Sequence, residues 1–338
     1  MSGIIIHPEV EAAISNASPI VVLESAVLTA GLPNEPWHSD WPTDALHAAM
    51  PDWDTTQPLA IHLGRRMEQE VRAHGATPCT TAIVDGQLHL GLEDELLERL
   101  VDRGHGRKAG ATSMATAMES GHCAGTTVSG ALIACRQLQA ASAHDHWVPA
   151  MATGGIGGVH RNWTARPDVS ADLNALATTR VCVVSAGSKS ILDTVATLEL
   201  LESLGIPVLG WQTEQWPAFT ASTRADAPRI QPVDDAAQVK RICTEQWHTL
   251  GLRTAVLLAN PLDPQHALNP DELDALVEVA EAAAQSEQIT GIERTPFLLG
   301  HLATSTHGRS IAANLALLVS NARRATEVAC LLAGPHLA

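Results

Sequence analysis

Apolar positions along the chain follow two rhythms. Pro19-Ile20-Val21-Val22-Leu23 is a short unbroken apolar run closed by Glu24, the pattern of a strand buried on both faces and ending in a carboxylate. Val181-Cys182-Val183-Val184 repeats it, the tight turn Ser185-Ala186-Gly187-Ser188 follows, and Ile191, Leu192, Val195, Leu198 and Leu201 then recur at helical spacing up to Gly205. Pro207-Val208-Leu209-Gly210 is predicted to be the next parallel strand. Such a βαβ unit puts Lys189 just beyond a strand's carboxyl end and at a helix's amino end, where α/β proteins bind ligands.

The rest of the pattern predicts a helix over 59–73, a hairpin of 80–84 and 87–90 around Asp85-Gly86, and a helix over 93–103 that is acidic first and basic last. Lys108 is placed in the glycine-bracketed loop that ends this helix. Thr126-Thr127 can cap a helix running to about 140, and a strand over 147–152 meets the glycine-rich turn 154–158. Further helices fall near 270–286 and 311–332. With no repeat, low-complexity tail or linker, residues 1–338 are predicted to form one α/β domain with a largely parallel central sheet flanked by helices. One stretch, at about 34–58, breaks the texture: Pro36, Pro42, Pro51 and Pro58 punctuate a segment holding Trp37, Trp41 and Trp53, read as an inserted loop or lid.

Composition narrows the picture. The chain is 45% hydrophobic but has 2 Phe, 8 Trp and no Tyr, so Ala, Val, Leu and Ile must fill its core. A net charge of −16 opposes a broad nucleic-acid surface, and an anionic substrate would need a local positive site. No apolar run approaches the roughly 20 residues that cross a bilayer, and no leader pattern stands at the start, so a soluble, cytoplasmic protein without membrane or nucleic-acid partners is expected. The six cysteines are scattered without a Cys-x-x-Cys pair and read as reduced thiols.

Two nucleotide motifs fail. In Gly155-Ile156-Gly157-Gly158-Val159-His160, His160 stands where a dinucleotide fingerprint needs its third glycine; near Ser188-Lys189-Ser190, Val183 stands where a phosphate loop needs its first. Lys189 is then either an ordinary solvated lysine or an amine that attacks a sugar's carbonyl carbon to give a Schiff base. Glu24 is a solvated strand-end charge or a partly buried acid–base group. In Asp168-Val169-Ser170-Ala171-Asp172, Ser170 or Asp168 could cap a helix, or the two aspartates near His160 could offer hard ligands to Mg²⁺ or Mn²⁺.

Glu24-Ser25, Gly31-Leu32-Pro33, Gly125-Thr126-Thr127-Val128, the stretch Ala152 to Arg161 (ATGGIGGVHR), Asp168 to Leu173, Ala186 to Asp193 (AGSKSILD), Thr295 to Leu299 and Asn314 to Leu317 occur in an order and spacing that resemble the pseudouridine-5′-phosphate glycosidase family over nearly the whole chain. The resemblance implies a homotrimeric enzyme of nucleoside catabolism that reversibly cleaves the carbon–carbon bond between uracil and ribose 5-phosphate. It implies that Lys189 forms a covalent adduct at the first carbon of the opened sugar, that Glu24 handles the proton on the base carbon, and that Asp168 helps hold one Mn²⁺ per subunit. Lys108, Val128 and Ser170-Ala171-Asp172 match substrate-contact positions, and His160 and Asn314 match residues lining the site. Departures fall on recognition of phosphate and base: Ala26 and Ala30 replace an expected Thr and His, the loop Ala109 to Ser113 lacks the expected arginines, and the Trp-bearing segment is an insertion. The same fold and lysine could instead join ribose 5-phosphate to an aromatic acceptor, as an alnumycin C-ribosylating relative does, and the segment's indoles would suit such an acceptor. A non-catalytic phosphosugar-binding protein is the third reading, against which Glu24, Lys189 and Asp168 all argue.

Overall fold

The computed structural model describes residues 3–32, 44–144, 147–165 and 167–333. Its strands are β1 (Ile4–Ile6), β2 (Ile20–Leu23), β3 (Thr77–Val84), β4 (Gln87–Leu90), β5 (Lys108–Ala109), β6 (Ala124–Thr126), β7 (Ala150–Ala152), β8 (Val159–His160), β9 (Cys182–Ser185), β10 (Leu192–Asp193), β11 (Val208–Trp211), β12 (Gln231–Val233) and β13 (Val256–Ala259). Eleven of them build one sheet with the spine β1-β4-β3-β2-β7-β9-β13-β11-β12, to which β6 adds on β3 and β5 on β6. Every neighbouring pair from β3 to β12 is parallel. The hairpin of β3 and β4 is antiparallel, and its two turn residues, Asp85 and Gly86, both have positive φ, as a tight hairpin turn requires. β8 and β10 form a separate antiparallel pair.

Alternate strand residues feed two cores, one on each face. Val21, Leu23, Val184 and Leu258 lie in one, Val22, Val183 and Leu257 in the other, all at most 1% exposed. Burial on both faces explains the unbroken apolar runs. Helix Arg309–Leu332 crosses the first face against β2, β7 and β9, and helix Val128–Ala141 helps cover the second.

The predicted helices at 59–73 and 270–286 have those bounds, and the last begins at Arg309 rather than 311. Three expectations need correction. β11 is parallel to β9 but is not its neighbour, because β13 inserts between them. Lys108 lies in β5, whose partner is β6, rather than in a loop. Within the Trp-bearing segment, Asp44–Ala49 is a helix packed on Arg309–Leu332, and Trp53 is 4% exposed inside the first core. Trp53 is thus a core residue and no part of a lid; Trp37 and Trp41 lie outside the described residues.

Candidate active site

From β2 the chain crosses to β3 on one side and later returns to β7 on the other, so strand order reverses at the β2–β7 seam. A crevice opens beyond the carboxyl ends of strands at such a reversal. Glu24 follows β2 there and Thr153 follows β7; the Thr153 hydroxyl donates to Glu24 Oε1 at 2.7 Å. Asn321 Nδ2, on the long C-terminal helix, donates to the Thr153 carbonyl at 2.8 Å, and Asn260 Nδ2 donates to Asn321 Oδ1 at 2.9 Å. A buried amide chain thus fixes the residue that fixes the carboxylate. Glu24 is itself buried, and desolvation holds its pKa above the ordinary carboxylate range even though the Lys189 charge and the Thr153 hydroxyl pull it down.

Lys189 sits in the turn after β9. Its N–H donates to the Ile156 carbonyl, while the Ile156 and Ala186 N–H groups donate to Gly187 and Gly154, so the turns after β7 and β9 are laced together. Gly187 has φ +87°, and a Cβ there would stand 2.4 Å from the Pro217 carbonyl, so the turn needs a glycine. The predicted helix start at Lys189 is not observed. β10 intervenes, and the helix begins at Thr194, capped by the Asp193 carboxylate on the Ala196 N–H. The helix dipole therefore does not act at Lys189. Its electrostatic neighbours include Glu24, Lys108 and His160; burial, followed by the Lys189 charge, lowers the pKa of Lys108.

Two connected cavities meet at these groups, and Glu24, Lys108 and Lys189 line both. The inner one, about 190 Å³, is walled mostly by apolar side chains, including Val27, Phe219, Pro296 and Leu299, with Asn314 among its polar groups. The outer one, about 910 Å³, takes in Val128, His160, Asp168, Ser170, Ala171 and Asp172. Every site residue expected from the sequence thus borders one cleft. Their duties differ from expectation in the 168–172 stretch. Ser170, not Asp168, caps the helix Ala171–Ala177 through the Asp172 N–H. Asp172 is tied to the backbone on both sides: its two carboxylate oxygens each accept a backbone N–H at 2.9 Å, from Ser129 and from Gly157. Asp168 lies 3.9 Å from Nε2 of His160, whose pKa burial lowers against the pull of that carboxylate. Among the described residues, no group of three or more His, Cys, Asp or Glu gathers into a metal cage.

Hydroxyls hold the loop after Lys108: the Gly110 N–H donates to Ser113 within it and the Ala111 N–H to Ser129 of helix Val128–Ala141. Thr153, Phe219 and Arg294 were not foreseen. Thr153 lay inside a recognised motif without a role, and nothing in local sequence links it to Glu24, 129 residues away. Arg294, buried against Glu281 and acting electrostatically on His160, reaches the site only through tertiary packing.

A lysine and a desolvated carboxylate lining one cleft at the sheet's switch point define the class, an α/β enzyme with its site beyond the carboxyl ends of the strands. Comparison with known proteins refines it. The sequence model for the indigoidine synthase A like protein family matches residues 45–331. A pseudouridine-5′-phosphate glycosidase of Sorangium cellulosum is 39% identical, over 96% of this chain and 92% of its own. The crystal structure of an indigoidine synthase A-like protein from Thermotoga maritima superposes with a TM-score of 0.80 at 30% identity, covering 99% of this chain and 98% of that one. Prealnumycin C-glycosynthase AlnA, solved in complex with ribulose 5-phosphate, gives 0.79 at 31% identity, covering 98% and 97%. The chain belongs to the pseudouridine-5′-phosphate glycosidase family, whose sequence model carries the indigoidine synthase A name.

Proposed function

We propose that this protein is a pseudouridine-5′-phosphate glycosidase that breaks the C–C glycosidic bond through an adduct on Lys189. The observation that carries the reading is the meeting of Lys189 with a buried, hydrogen-bonded Glu24 at the junction of the two cavities. The neutral Lys189 amine bonds to C1′ as the C1′–O4′ bond breaks, its surplus proton ending on O4′; the nitrogen lone pair then forms the C=N bond while the C–C electron pair leaves with the base carbon. Glu24, its pKa raised by burial, gives that carbon a proton, so no bare carbanion is released. Water then hydrolyses the iminium, returning ribose 5-phosphate and the free amine. The outer cavity suits the phosphate end of the substrate, since Lys108 and the amino end of helix Val128–Ala141 both border it. The apolar inner cavity suits the planar base.

Mn²⁺ fits only as an ion that keeps most of its water. Asp168, 32% exposed at its side chain and bordering the outer cavity, would hold it alone among the carboxylates of the 168–172 stretch, with water and substrate oxygens filling the other positions as hard divalent ions accept. When bound it would neutralise phosphate charge. A homotrimer follows from the family resemblance and is checked by light scattering. The six cysteines are free in the structure, as in a reducing cytoplasm, and no helix among the described residues is long and apolar enough to cross a membrane.

Sodium borohydride with ribose 5-phosphate tests the lysine. The peptide holding Lys189 should gain the mass of the reduced sugar, and Lys189→Ala should abolish the gain. Labelling confined to Lys108 would refute the assignment. One feature favours a second reading: the inner cavity's apolar walls would also receive an aromatic acceptor, making the enzyme a C-glycosynthase. Failure to release uracil, with intact trapping of ribose 5-phosphate, would select it.

A further inference from the structure

Phe219 holds a conformation that its residue type disfavours. Its φ is +58°, where a bulky L-residue is an outlier, and its ring is nearly buried. The surrounding chain imposes this backbone. The Phe219 N–H donates to the Ala186 carbonyl at 3.0 Å, in the turn that carries Lys189, and the next residue's carbonyl, Thr220 O, accepts the Leu268 N–H at 2.9 Å. Gly155 completes the seat: a Cβ there would stand 2.7 and 2.8 Å from two carbons of the Phe219 ring. The ring lies against the backbone of the glycine turn and also lines the inner cavity with Glu24 and Lys189. Strain maintained from both sides, with a neighbour reduced to glycine, marks a side chain placed for use.

We propose that Phe219 is a specificity-determining residue, the fixed apolar wall on which the planar ring leaving the sugar packs. This rests on the lysine chemistry above and adds to it the group that reads the aglycone. The alternative role, support of the Lys189 turn through Gly155, predicts damage to the sugar half of the reaction as well. The two roles separate because ribose 5-phosphate engages Lys189 without any base present.

Phe219→Leu, which keeps apolar bulk without the flat face, and Phe219→Ala are compared with the unaltered enzyme in two assays: turnover of pseudouridine 5′-phosphate, and borohydride trapping across a ribose 5-phosphate series. The expected result is a KM for the C-nucleotide raised by ~5–100-fold in the alanine variant, the range of aromatic stacking on a base. A smaller rise is expected in the leucine variant. The kcat should stay within about threefold and the trapping midpoint should not move, as for lost uniform binding. Unchanged KM in both variants, or a trapping midpoint that worsens in step with KM, overturns the proposal. If alanine prevents folding, the leucine variant carries the same test. Absence of trapping in the unaltered enzyme overturns the lysine chemistry and the proposal together, whereas intact trapping with unchanged KM overturns the proposal alone.

Discussion

Thr153→Val removes the hydroxyl that donates to Glu24 and leaves nearly the same volume in a site with no solvent exposure. The Asn321 amide still has the Thr153 backbone carbonyl to bond, so the strand end should keep its place. A hydrogen bond to a charged group is worth about 1.5–3 kcal/mol. The protonated acid also accepts a bond from the hydroxyl, so we assign about half of that to the difference between the two forms. At about 1.4 kcal/mol per unit, the Glu24 pKa should rise by about half a unit to one unit. The sign follows from the donor: a hydroxyl pointing at a carboxylate favours the charged form, and its loss favours the proton. In the proposed mechanism cleavage uses protonated Glu24, so kcat/KM should fall on the alkaline side as this group of the free enzyme ionises. The alkaline limb of kcat/KM against pH, followed by uracil release between about pH 5 and pH 10, should therefore move up by about half a unit to one unit in Thr153→Val and stay in place in Thr153→Ser. A limb that stays fixed or moves down in the valine variant would refute the assignment of Glu24 as the proton donor.

Burial of Glu24 has a cost to folding that can be measured in the same variants. Because its folded pKa lies above the unfolded value, the destabilisation is absent below the unfolded pKa and complete above the folded one. Glu24→Gln should thus melt higher than the unaltered protein by about 1–3 °C at pH 8 and no higher at pH 4, while losing cleavage. Asp168→Asn should lose activity by about 10–100-fold with partial recovery at high Mn²⁺, and undiminished turnover in chelator-treated enzyme would rule out a metal requirement. At Gly157 an added Cβ would stand 2.3 Å from Ser170 Oγ and 2.7 Å from Asp172 Oδ2, so Gly157→Ala should break the Asp172 bridge, lowering both the melting temperature and turnover. Retention of both would show that the loop yields at little cost.

Much of this was legible in one dimension because the sheet is buried on both sides. Strands with no solvent face must be apolar throughout, so the runs ending at Leu23 and Val184 located both Glu24 and Lys189 beyond carboxyl ends. The hairpin turn at Asp85-Gly86 and the cap at Thr127 are local chemistry, readable from neighbouring residues. Lys189 was misplaced against its helix because the apolar spacing of Ile191 and Leu192 suits a helix as well as the short β10, and only pairing with β8 decides between them. Asp172 resembled a metal ligand in sequence, since nothing there shows that two distant N–H groups bind its oxygens. Trp53 resembled a lid residue because the prolines around it say where a chain turns and not which side of an indole meets solvent.

The hydrogen bond between Thr153 and Glu24 joins groups made far apart in time as well as in sequence. A ribosome exposes β2 long before the turn after β7 exists, and Lys189 follows later still; the amide chain that steadies Thr153 closes only when Asn321, in the last helix, has been synthesised. A chain that stops short of Asn321 therefore lacks the amide chain that steadies Thr153. The full hydrogen-bonded setting of Glu24 beside Lys189 depends on chain as late as Asn321, and cannot be assembled by stages from the strands alone.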